Sequence, residues 1–338
     1  MWKHELKKVV RHPVFICLFI ILISAKIVTA QIYSSAKPES LADQIICERY
    51  LGMTIEEALP RILEDGRKAQ ELANKSLYET YQNGEITLAE LREWENTYPE
   101  RLAQASALDA LLDRADTLMR YSDMRDHAKS GDITNEMLYW TKAPDQYLRL
   151  VGRWKALSLI PERGWELYFQ LERMGWISFI LIFFLIPQFT ELRDSGMESL
   201  LKGTGRGLIL ARRIKEVLSV CGILVMWLID SLLNIMIPMI TYGLTGFGWA
   251  AQSLSELAQM PYPLSIGGYL PAAVLLRLAG CLIVYGLCRI ISKLIRQTTA
   301  ALGTALCVWG ASELLLKGIF SPNLMFYPAE FLCRHIMI

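Results

Sequence analysis

Apolar and polar positions divide this chain into two kinds of segment. Five stretches are almost continuously apolar, at about 13–31, 174–190, 216–242, 268–291 and 298–320. A helix needs roughly 20 apolar residues to cross about 30 Å of hydrocarbon, so each stretch predicts a membrane-spanning helix. The second is short, and Trp165, Leu167, Tyr168 and Phe169 extend it toward an interfacial aromatic belt. Met1–His12 mixes polar and apolar residues ahead of Pro13, with Trp2, Leu6, Val9 and Val10 able to share one face. That pattern predicts a short helix along the inner leaflet, or a charged tail before the first span.

Residues 32–173 follow another rhythm. Leu102, Ala105, Leu108, Leu111, Leu112, Ala115, Leu118 and Met119 recur at intervals of three and four, the period of one helical face. Thr54–Glu57 and Thr87–Glu90 have the form of capping boxes, in which a threonine and a glutamate three residues later satisfy each other's free amides. Gly84, Asn96 to Pro99, Gly131 and Ala143-Pro144 punctuate the segment, and no stretch is strand-rich. The expectation is an all-α, polytopic membrane protein with a large helical extracytoplasmic domain between its first and second spans. Tyr78, Tyr81, Trp94, Tyr121, Tyr139, Trp140, Tyr147 and Trp154 are read as core of that domain, with ligand contact as the alternative. Spans and coupling loops occupy 174–320, and 321–338 is too short and polar for a sixth span.

Charge sets the expected orientation. The formal net charge is only +1, yet 32–172 holds 17 Lys and Arg against 25 Asp and Glu. The remainder is therefore basic, and its basic residues sit in short loops. Lys3, Lys7, Lys8 and Arg11 precede the first span, Arg193 to Lys215 separate the second and third, and Arg289, Lys293 and Arg296 separate the fourth and fifth. Loop 243–267 has no Lys or Arg. Short basic loops stay in the cytoplasm, which puts the N-terminus inside and 32–173 outside; the plasma membrane is the expected location. The first stretch also has the outline of a signal peptide ending at Val28-Thr29-Ala30. Lys26 interrupts it and the apolar run resumes, so a retained anchor is expected, with Lys26 reaching the outer headgroups. Of seven cysteines only Cys47 lies in the external segment, which allows it no internal disulfide.

Few residues suggest chemistry. Lys202 to Gly207 is glycine-rich but lacks the Gly-Lys-Ser/Thr ending of a phosphate loop. His4, His12, His127 and His335 are scattered, and no Cys/His spacing suggests a metal. Asp230 and Arg277 fall near mid-membrane at similar depth, with Asn234 one turn beyond Asp230, and Glu313 and Lys317 are likewise spaced in the fifth stretch. A charge at that depth needs a partner or a wet cavity. These residues are read either as the lining of a translocation path or as an interhelical ion pair.

Between the second and third spans lie Glu191, Gly196, Leu200-Leu201, Gly205-Arg206 and Lys215, in the order found in type-2 ABC exporter permeases. The layout of the whole chain resembles that family, and the motif covers about 25 residues. The family usually carries six spans, where five are read here. The resemblance implies a transport subunit without an ATPase site, a catalytic residue or a cofactor of its own. It implies a cytosolic ABC ATPase and a second permease subunit as partners, alongside membrane lipid and no nucleic acid. Glu191, Gly196, Gly205, Arg206, Arg212, Arg213 and Lys215 would form the coupling segment, with Gly203, Gly205 and Gly207 allowing tight turns or close approach by a partner. The alternative is a membrane-anchored sensor whose external domain binds a ligand or peptide. An impermeant thiol reagent tests the topology: Gly131→Cys should label in intact cells and Gly205→Cys should not, and the opposite pattern would invert the orientation.

Overall fold

The computed structural model describes residues 13–320, apart from 37–39, 75–76, 78–80, 84, 131–154, 174–175, 205–206, 259 and 261. The expected N-terminal interfacial helix, the tail 321–338, and Tyr78, Tyr139, Trp140, Tyr147 and Trp154 lie outside these. In chain order the helices are α1 (Pro13–Ala36), α2 (Leu41–Ile45), α3 (Ile55–Asn74), α4 (Leu88–Ser130), α5 (Arg163–Arg173), α6 (Trp176–Asp194), α7 (Met197–Lys202), α8 (Gly207–Thr241), α9 (Ile266–Leu294) and α10 (Thr298–Phe320). No strand forms among the described residues, and β-pairing is limited to single bridges, Thr54 with Ser158 and Ala250 with Ser265.

Among the described residues, four helical segments are long and apolar enough to cross a membrane: Ile16–Ala36, Arg163–Asp194, Gly207–Thr241 and Ile266–Leu294. The second is made of α5 and α6 together. The fifth expected span is α10, whose apolar part with described side chains, Thr298–Ala311, is shorter than that length. The fold is thus helical and compatible with a multi-pass membrane protein.

The chain divides into two compact units, one comprising Leu167–Thr241 with the chain before Ala36 and from Leu270 onward. Its core is built around α6. Ile177, Ile180, Leu181, Ile182, Phe184, Leu185 and Ile186 are all buried, so this helix is covered on every side. Leu18 and Leu22 of α1, Ile223 and Met226 of α8, Cys281, Val284 and Cys288 of α9, and Ala301 and Ala305 of α10 complete the cluster. Gly222 lets α8 approach it: a β-carbon there would lie 2.5 Å from the Phe184 ring. The opposite faces of α1, α8 and α9 leave Ile20, Val28, Leu228, Leu232, Leu275 and Ile283 exposed, as lipid-facing surfaces do.

The second unit comprises Ala36–Glu166 and Tyr242–Tyr269. The loop between the third and fourth expected spans, which holds no Lys or Arg, is therefore part of it, which local pattern does not reveal. Helices α3 and α4 pack together through Ile55, Ala58 and Ile62 against Leu108, Leu111, Ala115 and Leu118, the face expected from the repeat. Leu102, expected on that face, is exposed. Both capping boxes form hydrogen bonds. The Thr87 amide donates to Glu90 at 2.7 Å and the Glu90 amide to the Thr87 hydroxyl at 3.3 Å. The Thr54 amide donates to Glu57 at 3.3 Å. The bonds from Thr87 hold the Glu90 carboxyl below its usual range. The cap's contribution is therefore present above that range and lost as pH falls through the lowered value.

Trp165, expected in an aromatic belt, is instead buried in this second unit. Its indole donates to the Thr245 carbonyl at 3.1 Å and its ring meets Phe247 edge-on. An indole with an internal partner and 1% exposure has no reason to seek the headgroups. Leu167, Tyr168 and Phe169, which belong to the first unit, are buried too. Beside Trp165, a β-carbon on Gly164 would meet the Gly243 carbonyl oxygen at 2.2 Å, and Gly243 itself is held at φ +79°. Gly66, inside α3, has open space. Gly164→Ala should therefore destabilise the protein by about 1–3 kcal/mol through overpacking against backbone. Gly66→Ala should stabilise it by about 0.5–1 kcal/mol through helix propensity. Thermal unfolding of the two variants, read side by side in detergent, should shift in opposite directions.

Candidate functional site: a buried ionic cluster and a charged interhelical segment

Four ionisable side chains meet inside the first unit, one from each of the four long apolar segments. Asp230 of α8 is fully buried between two cations, with Lys26 Nζ 3.3 Å from its Oδ1 and Arg277 Nη2 2.7 Å from its Oδ2. Arg277 also reaches Glu172 of α5, Nη1 to Oε1 at 3.9 Å, and the Tyr168 hydroxyl one turn earlier hydrogen-bonds Glu172. Lys26 donates a second time, to the Leu171 carbonyl at 2.5 Å. The formal charges cancel, two positive against two negative. That is the condition under which a buried cluster avoids a large desolvation cost.

The cluster departs from expectation in three ways. Lys26 is 0% exposed and does not extend to headgroups, because an anion and a backbone carbonyl lie within its reach. Asp230 and Arg277 do meet, but Asp230 is shared between two cations. Glu172, which the sequence places at the end of a polar domain, supplies the second anion. A lysine inside an apolar run was the available signal for Lys26. Glu172 had none, since it precedes the hydrophobic stretch and is followed by Arg173.

Hydrogen bonding here is incomplete among the described residues. Neither Asp230 oxygen accepts a hydrogen bond beyond its ion pairs, the Ser231 hydroxyl has no partner, and both amide atoms of Asn234 are unpartnered at 1% exposure. These three residues lie within five positions on α8. Buried polar atoms of this kind are normally satisfied, and a polar guest or internal water at this turn would satisfy them. Glu313 and Lys317 lie on α10, and their side chains are outside the described residues.

The second region is the link between α6 and α8. Its centre is Glu198 of α7, paired with Arg212 at 2.7 Å, Lys202 at 3.6 Å and Arg193 at 3.9 Å. Glu191, at the end of α6, pairs with Lys215, a residue that is itself mostly buried. Glu216 pairs with Arg289 of α9 at 2.5 Å, and the Arg193 guanidinium donates to the Ser292 carbonyl. Asp194 accepts from Thr298 at the start of α10. Gly196 precedes α7 at φ +70°, a left-handed turn that favours glycine. Gly203 has ordinary right-handed geometry and needs no left-handed freedom. Gly207 packs against Thr204, its virtual β-carbon 2.2 Å from the hydroxyl. Gly205 and Arg206 lie outside the described residues, and Arg213 is exposed. Glu198, Glu216 and Arg289 are participants that the motif does not contain.

Among the described residues no group of three or more His, Cys, Asp or Glu side chains could hold a metal ion. No protein-family model, curated protein or solved structure matches the chain.

The sharing of Asp230 makes an unequal mutant series. Asp230→Asn leaves Lys26 and Arg277 with a single anion and should cost about 3–5 kcal/mol, the range for breaking a buried pair. Lys26→Met leaves Asp230 its closer cation, Arg277, and should cost less, whereas Arg277→Leu also removes the ion-pair partner of Glu172 and should cost about as much as Asp230→Asn. The double variant Asp230→Asn with Lys26→Met restores neutrality and should recover part of the loss. Thermal stability of the detergent-purified variants would refute the cluster reading if Asp230→Asn proved the mildest of the set.

Proposed function

We propose that this chain is the membrane-spanning permease subunit of an ABC exporter. In this reading it couples ATP hydrolysis by a separate cytosolic ATPase to substrate movement across the plasma membrane. Its N-terminus is cytoplasmic, the 36–166 unit is extracytoplasmic, and a second permease subunit completes the pathway. The observation that carries the reading is the construction of 191–215. This link is a short helix tied by Glu198 to three cations, with Glu191 pairing to Lys215 at the foot of the next long helix. A push on α7 is thereby passed to α6 and α8 instead of being absorbed by a slack loop. Met197 and Leu200 stay exposed on α7, available to lipid or to a partner.

The interior supplies the other half of the proposal. Neutral overall but short of hydrogen bonds, the Asp230–Asn234 turn is a polar strip inside an apolar bundle, and such strips mark substrate or ion paths. Movement of α8 relative to α1 and α9 would exchange the two cations of Asp230, giving the bundle two discrete arrangements.

The test is purification of the full chain from its own membranes. An ATP-hydrolysing subunit should accompany it in stoichiometric amount. Glu198→Lys, which turns three attractions into repulsions, should lower that subunit's transport-stimulated hydrolysis at least severalfold while membrane insertion is unchanged. A chain that purifies alone and has no nucleotide-hydrolysing partner would overturn the proposal.

A further inference from the structure

The ends of α6, α8 and α9 enclose a concavity of about 920 Å³ within the first unit. Seven Lys and Arg line it against three Asp and Glu. Five of those cations are already engaged, Arg193, Lys202 and Arg212 with Glu198, Lys215 with Glu191, and Arg289 with Glu216. Lys293 and Arg296, exposed and three positions apart at the end of α9, have no carboxylate partner among the described residues. The engaged pairs hold the walls in place, and these two remain to neutralise something else.

Exposed apolar residues close in sequence to the lining cations narrow the choice of guest. Leu294, next to Lys293, is 77% exposed, and Ile290, one turn earlier, is 57% exposed. Ile209 and Leu210 stand exposed just before Arg212. A soluble anion needs none of this apolar surface. An amphiphile uses both parts, its phosphate among the cations and its chains along the isoleucines and leucines. We infer that the concavity binds the phosphate headgroup of an anionic phospholipid from the leaflet on that side. The inference rests on the membrane reading of the chain and is independent of the transport reading. An acidic protein segment is disfavoured because it would leave the flanking apolar residues uncovered.

Carbonate extraction first establishes that the chain is membrane-integrated, so that failure of the membrane reading is seen separately. The full chain in mild detergent is then titrated with phosphatidylglycerol and with phosphatidylcholine, and bound lipid is read by native mass spectrometry. Phosphatidylglycerol should be retained preferentially. Lys293→Ala with Arg296→Ala should weaken its retention by about 30-fold, from the contribution of two basic residues at an anionic surface. Arg213→Ala, which removes an exposed charge outside the concavity, should change it by no more than a few fold. Both altered positions are exposed, so folding is spared, and Lys293→Arg should retain binding. The proposal is overturned if the two lipids bind equally, if the double variant behaves like Arg213→Ala, or if inorganic phosphate at millimolar concentration displaces the lipid fully. The last result would mark a site for free anions.

Discussion

A carboxylate cannot remain charged inside an apolar helical bundle without a partner, and Asp230 is the point at which this chain meets that constraint. Removing such a group from water costs several kcal/mol, and only close opposite charge offsets it. The chain supplies the compensation from three directions, with Lys26 on α1 and Arg277 on α9 flanking the carboxylate and Glu172 balancing the excess. A slide of any one helix by a single turn would part a pair by about 5 Å and expose that cost. The cluster therefore specifies register, a role that hydrophobic packing alone performs poorly because one leucine contact resembles the next.

The interhelical link uses the same chemistry in a different solvent. Its carboxylates Glu191, Glu198 and Glu216 also join neighbouring helices, but Glu216 and Arg289 are each about 40% exposed. Water and salt screen such pairs, and individually they contribute little. Their effect comes from convergence, since Glu198 alone draws together α6, α7 and the start of α8. The bundle thus has a tightly fixed centre and a more yielding rim.

The second unit is held by a related device. Asp43 of α2 accepts the backbone amides of Glu162 and Arg163 at 3.1 Å each, and so caps the start of α5. Glu162 in turn accepts from the Ser255 amide and pairs with Arg114 of α4, both at 2.9 Å. The Arg114 guanidinium also donates to the Ile160 carbonyl at 2.7 Å. Segments far apart in sequence are thus joined through polar atoms that would otherwise be buried without partners.

The sequence by itself determined what depends on near neighbours. The lengths of the apolar runs, the three-and-four repeat of α4 and the Thr87–Glu90 cap are all set within a few residues, and each can be read before any fold is known. Even Asp230 with Arg277 was accessible, because depth along a rigid helix is a matter of counting at 1.5 Å per residue. Tertiary structure alone decided which partners are chosen across long separations. Lys26 finds Asp230 some two hundred positions away, and Glu198 gathers cations from three elements. Residues 242–269 join a domain that the chain had left behind at residue 166. A charged side chain takes the nearest opposite charge or free carbonyl, and nearness is fixed by the arrangement of helices, which local pattern does not encode.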